Sequence, residues 1–163
     1  MRRLPLSTVL LLIACSGSLT RPPSDDASLR LGDGTLRLKL SASKTQFHAG
    51  TPDTLRVTLT NDSPSAIVLH FGSSCQILPY IRDDRGAVVL PAGGGWACLT
   101  VLTQLALSAH QSVTREFVWT GGTSFSSGVP QRLLPPGTYY ASAEVPQGKD
   151  TLRTAPLAIT LTE

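Results

Sequence analysis

The chain has 163 residues, 14 Lys and Arg against 11 Asp and Glu, and a formal charge of +3. That length supports one hydrophobic core rather than two. The first 14 residues carry Arg2 and Arg3, leaving 12 basic side chains against 11 acidic ones beyond them, and no Lys/Arg block supplies the basic stripe that nucleic acid requires. After Arg2 and Arg3, Leu4 to Ala14 form an apolar run of the length of a signal-peptide h-region, too short to cross a bilayer as a stable helix.

Leu12-Ile13-Ala14-Cys15 closes that run and resembles the lipobox of bacterial lipoproteins, which implies a lipid on the Cys15 sulfur. An ordinary buried or oxidised cysteine is disfavoured, because a residue at the tip of a signal peptide has no folded domain around it. The segment "SGSLTRPPSDDAS" then mixes Ser, Gly, Pro and Asp with almost nothing to bury, as a tether does. The expected division is a signal peptide at 1–14, a flexible tether at 15–34 and a domain at 35–163. The expected location is an exported, membrane-anchored lipoprotein facing the periplasm or cell exterior, and Ser16 favours the outer membrane.

From residue 35 the apolar residues alternate. Leu36, Leu38 and Leu40 share one face against Arg37 and Lys39, and Leu55, Val57 and Leu59 repeat the pattern, as half-buried strands do. "AIVLHF", "SVTREFVW", "TYYASAEV" and "PLAITL" continue the series, separated by the turn chemistry of "AGTPD", "NDSP", "DDRG", "PAGGG" and "PQGKD". Seven to eight short strands with no crossover helices point to an antiparallel, immunoglobulin-like β-sandwich, with a barrel as the alternative. Tyr139 in "LPPGTYY" stands where such sandwiches carry a tyrosine corner, and it shares a face with Ala141, Ala143 and Val145. It is equally readable as a plain strand aromatic. With Cys15 lipidated, Cys75 and Cys98 remain as an even pair in an exported chain, the setting for a disulfide. Two free thiols are the alternative.

Catalytic constellations are missing. His48, His70 and His110 form neither H-x-H nor H-E-x-x-H, and His70 and His110 read as surface residues. "GTSFSSG" lacks the second glycine of a nucleophile elbow, and "AGGGW" lacks the Lys and Ser/Thr of a phosphate loop. No catalytic residue, metal site or cofactor is expected.

"VTLTNDSPSAIVLHFGSSCQILPYIRDDRGAVV", "LALSAHQSVTREFVW" and "LLPPGTYYASAEV" together resemble the BsuPI family of bacterial intracellular proteinase inhibitors, over about residues 35 to 161. The shared features are the turn at Asn61 to Pro64, the hairpin at Arg82 to Gly86, Trp119, and Pro135 to Tyr139. Ala109-His110 departs from the Pro-Gly that relatives often carry. The resemblance implies an immunoglobulin-like sandwich that inhibits a subtilisin-type serine proteinase. The other reading is a non-inhibitory module that binds another envelope protein or builds structure. Two loops have the length for contact with a protease or partner: 120–136, with Phe125, Arg132, Leu133 and Leu134, and 90–98, with Trp96. Leu133 and Leu134 are alternatively the chain's return into the core.

Overall fold

The computed structural model describes residues 26–31, 34–125 and 132–163, which hold twelve strands and no helix. These are β1 (Asp26–Leu31), β2 (Gly34–Ala42), β3 (Gln46–His48), β4 (Asp53–Asn61), β5 (Ile67–Phe71), β6 (Leu78–Arg82), β7 (Val88–Leu90), β8 (Thr103–Leu107), β9 (Ser112–Trp119), β10 (Gly137–Gln147), β11 (Asp150–Arg153) and β12 (Leu157–Thr162). One sheet runs β1-β2-β4-β9, and a second runs β3-β12-β10-β6-β7 with β11 beside β10. β5 and β8 pair as a separate ribbon. Every pairing is antiparallel except β3 with β12.

The alternation in the sequence becomes the core. Leu36, Leu38 and Leu40 of β2 and Leu55, Val57 and Leu59 of β4 are all buried, in a register that sets Leu38 opposite Leu59 and Leu40 opposite Val57. Ala141, Ala143 and Val145 of β10 with Ile159 and Leu161 of β12 belong to the same cluster, so the two sheets close face to face. The expected all-β sandwich is therefore what the chain forms. Three of the strands beyond those expected, β3, β7 and β11, hold only three, three and four residues. Such lengths are too brief to display a period of two.

Residues 26–31, read from composition as tether, are β1. They pair with β2 from Asp26–Lys39 to Leu31–Gly34, and Leu29 packs against the core. The pairing is made by the main chain, which composition does not report.

Three side chains lock the connections. Trp119 at the end of β9 is fully buried, meets Phe47 and Tyr139 edge-on at 5.6 and 6.3 Å, and donates from Nε1 to the Gly122 carbonyl at 2.8 Å. Tyr139 packs inward and donates its hydroxyl to the Pro135 carbonyl at 2.9 Å, the tyrosine corner. Asn61 is buried at the end of β4, where its Nδ2 donates to the carbonyls of Ser65, Leu107 and Ser108 at 2.7 to 3.2 Å. Its Oδ1 accepts from the Ser63 N–H and hydroxyl.

Candidate functional site

Cys75 and Cys98 are joined in a disulfide with Cα atoms 5.6 Å apart, tying the chain between β5 and β6 to the chain between β7 and β8. Cys15 lies outside the described residues. Loop 90–98 is fixed at Trp96, whose Nε1 donates to the Pro79 carbonyl at 3.1 Å. The same indole stacks on Phe125 with ring centroids 5.9 Å apart and planes 3° from parallel, and Phe125 also meets Phe117 at 5.6 Å. The two loops expected to make contact are therefore in contact with each other. Trp96 and Phe125 are both half-buried in this stack.

In the connection from β9 to β10, residues 126–131 lie outside the described residues. Its two arms pair. Thr123 N–H donates to the Arg132 carbonyl at 3.1 Å, Leu134 N–H donates to the Gly121 carbonyl at 2.8 Å, and Gly122 bridges Leu133. This pairing alternates the side chains. Arg132 is exposed and Leu133 is 48 % exposed, whereas Leu134 is buried in the core. The expectation that Leu134 faces a protease is thus corrected: a strand-like arm cannot point two successive leucines the same way. Arg132 lines an open cleft of about 570 Å³ with Asp83, Asp84 and Pro135, above the tyrosine corner.

Sequence reasoning passed over the segment that follows the disulfide. Leu99 is 74 % exposed, Val101 48 % and Leu102 86 %. The backbone beneath them is clamped: Leu99 N–H donates to Ser74 Oγ at 3.0 Å, and Ser74 N–H donates back to the Leu99 carbonyl at 3.0 Å. Val101 N–H donates to the Leu99 carbonyl at 2.9 Å, and Thr103 Oγ1 donates to the Ser73 carbonyl at 2.7 Å. Beside this segment, Ser74, Cys75, Ile77, Trp96 and Phe117 line a hollow of about 330 Å³. A signal was available, because residues 86 to 114 contain no Asp, Glu, Lys or Arg, although much of that run lies outside strands.

His70 and His110 are exposed, and among the described residues no group of three or more His, Cys, Asp or Glu is placed to hold a metal ion. No described helix is long and apolar enough to cross a membrane.

Among known proteins, residues 40–149 match the BsuPI family, described as intracellular proteinase inhibitor. No curated protein matches this chain. Of solved structures, the CARDB domain of a Pyrococcus furiosus protein superposes with a TM-score of 0.50 at 13 % identity, covering 82 % of this chain and 93 % of that one, which supports the sandwich fold. A β-glucosidase from Listeria innocua gives a TM-score of 0.47 at 16 % identity over 80 % of this chain, and one from Erythrobacter marinus gives 0.45 at 15 % over 79 %. This chain spans only 16 % of either enzyme. The family description also corrects the expected location. Export and membrane anchoring were expected from the apolar run and lipobox-like ending of residues 1 to 15, the tether-like composition after them and the even cysteine pair, whereas the family matched across the folded domain is intracellular by description.

Proposed function

The chain belongs to the BsuPI family of intracellular proteinase inhibitors, and from that membership we propose that it inhibits a serine proteinase of the subtilisin type by obstructing its substrate cleft. The observation that carries this reading is the extent of the match. Residues 40–149 run from the end of β2 to the β10–β11 turn, so they include the disulfide and both loops joined by the Trp96–Phe125 stack. An inhibitor has to bring a surface whose order is already fixed, because ordering a loop on binding subtracts from affinity. The disulfide, the Trp96 hydrogen bond and the aromatic stack supply that order here.

Titration of the full chain into a subtilisin-type proteinase, with hydrolysis of a chromogenic peptide as readout, tests it. The expected result is a loss of activity that tracks the molar ratio and ends near equivalence. Full hydrolysis in large molar excess of the chain, across several such proteinases, would overturn inhibition and leave a non-inhibitory immunoglobulin-like binding module.

A further inference from the structure

We propose that the segment Leu99–Leu102, and not the β9–β10 connection, enters the proteinase cleft, with Leu102 in the primary specificity pocket; this rests on the inhibitory reading above. Leu102 and Leu99 are the two most exposed large apolar side chains among the described residues, at 86 % and 74 %, and Val101 between them is 48 % exposed. Scattered apolar residues on a surface need no explanation, but three within four positions form a patch. Among the described leucines outside this segment, only Leu133, at 48 %, is exposed, while Leu36, Leu38, Leu55 and Leu59 are all at 0 %.

Rigidity separates this patch from a frayed loop. Cys98, immediately before it, is bonded to Cys75, Leu99 is held at both its N–H and its carbonyl by Ser74, and Thr103, immediately after it, begins β8 and donates to the Ser73 carbonyl. The clamps to the rest of the domain fall on Leu99 and Thr103, and Leu102 is the most exposed large apolar side chain between them. A loop built this way meets a cleft with little further loss of conformational freedom.

The same anchors account for inhibition rather than digestion. Hydrolysis of the Leu102–Thr103 bond would consume one water and leave a carboxylate on Leu102 and an amine on Thr103. Neither new end is free to depart. The Leu102 side stays tied through Cys98 to Cys75 and through Leu99 to Ser74, and the Thr103 side stays in β8, paired with β5 from Thr103–Phe71 to Leu107–Ile67. The ends remain apposed, so the peptide bond can reform and the product continues to occupy the site. By contrast, Leu134 is committed to the core and Phe125 to the Trp96 stack.

Charge narrows the partner. With no Asp, Glu, Lys or Arg between residues 86 and 114, this segment fits a cleft whose primary pocket is apolar and uncharged. A proteinase selecting basic residues would find no counterion here.

The test compares full-length Leu102→Asp and Leu133→Asp with wild type against one subtilisin-type proteinase that wild type inhibits. Leu102→Asp is expected to raise the inhibition constant about 100-fold or more, as removal of a central anchor does, with an unchanged melting temperature because Leu102 is exposed. Leu102→Phe restores inhibition, and Leu133→Asp leaves it within a few-fold of wild type. After long incubation, mass spectrometry of reduced samples finds a cut after Leu102. Inhibition that survives Leu102→Asp, or a cut confined to residues 120–136, overturns this assignment while leaving the inhibitory reading in place. A wild-type chain that inhibits no such proteinase overturns both.

Discussion

Asp53 opens β4 almost fully buried, where Oδ1 accepts from the Lys44 N–H at 3.0 Å and Oδ2 has no hydrogen-bond partner. Loss of water pushes its pKa above the usual carboxylate value, opposed by hydrogen bonds from the Thr54 and Lys44 backbone and by the Lys44 charge. A carboxyl raised in the folded state holds its proton more tightly there than in the unfolded chain. Its stabilising contribution is therefore complete below the unfolded pKa and is lost as pH rises through the folded one. Asn at this position keeps an acceptor for Lys44 and cannot ionise, so the melting temperature of Asp53→Asn relative to wild type should be more favourable at pH 7 than at pH 4. Thermal melts at the two pH values check this, and a difference that grows toward acid contradicts it. Asp62 works in the opposite sense. The Arg37 guanidinium, paired with it at 2.8 and 2.9 Å, holds its carboxyl low, so its contribution is lost as pH falls. That loss is common to both chains and cancels in the comparison.

Elements are held here by their ends as much as by their faces. Asn61 closes β4, spans to the carbonyls of Ser65, Leu107 and Ser108, and so binds the β4–β5 and β8–β9 connections into one knot. Asn61→Ala takes the side-chain donor from the buried Leu107 carbonyl and the acceptor from the buried Ser63 N–H, and is expected to cost about 3 kcal/mol, read from denaturant unfolding midpoints. A loss under about 1 kcal/mol would mean that water replaces the amide with little penalty. The turn "NDSP" was legible in the sequence, but its reach to Leu107 was not, because that contact joins residues 46 positions apart. β6 was hidden for a different reason. "LPYIR" carries Pro79 inside a strand, which argues against a central position. β7 pairs with β6 only at Ile81 and Arg82, so Pro79 sits beyond its reach, with its carbonyl taken by Trp96 instead.

For the molecule as a whole, periodicity carried the fold and exposure decided the site. Alternation in β2 and β4 and the Tyr139 corner could be read directly, since a residue's neighbours two positions away reveal its face. The leucines at 99, 102, 133 and 134 could not, because a protruding leucine and a buried one are the same letter, and only the finished surface separates Leu102 from Leu134. The disulfide gives the prediction proper to this scale. It closes a separation of 23 residues between surface connections, while the core lies between the two sheets. Reduction and alkylation should leave the β-sheet circular dichroism in place and lower stability by about 3 kcal/mol, on the chain-entropy account. Collapse of the β signal on reduction would show that the bridge is required for the fold itself.

β12 sits between β3 and β10, and it supplies Ile159 and Leu161 to the centre of the core. Its partner β3 is more than a hundred residues earlier in the chain. During synthesis the earlier strands must therefore wait, with Phe47, Tyr139 and Ala141 lacking their neighbour, until β12 has emerged. Pairings of such long sequence separation form slowly and leave apolar surface open meanwhile, so the nascent chain depends on sheltering in the cell far more than the finished sandwich does.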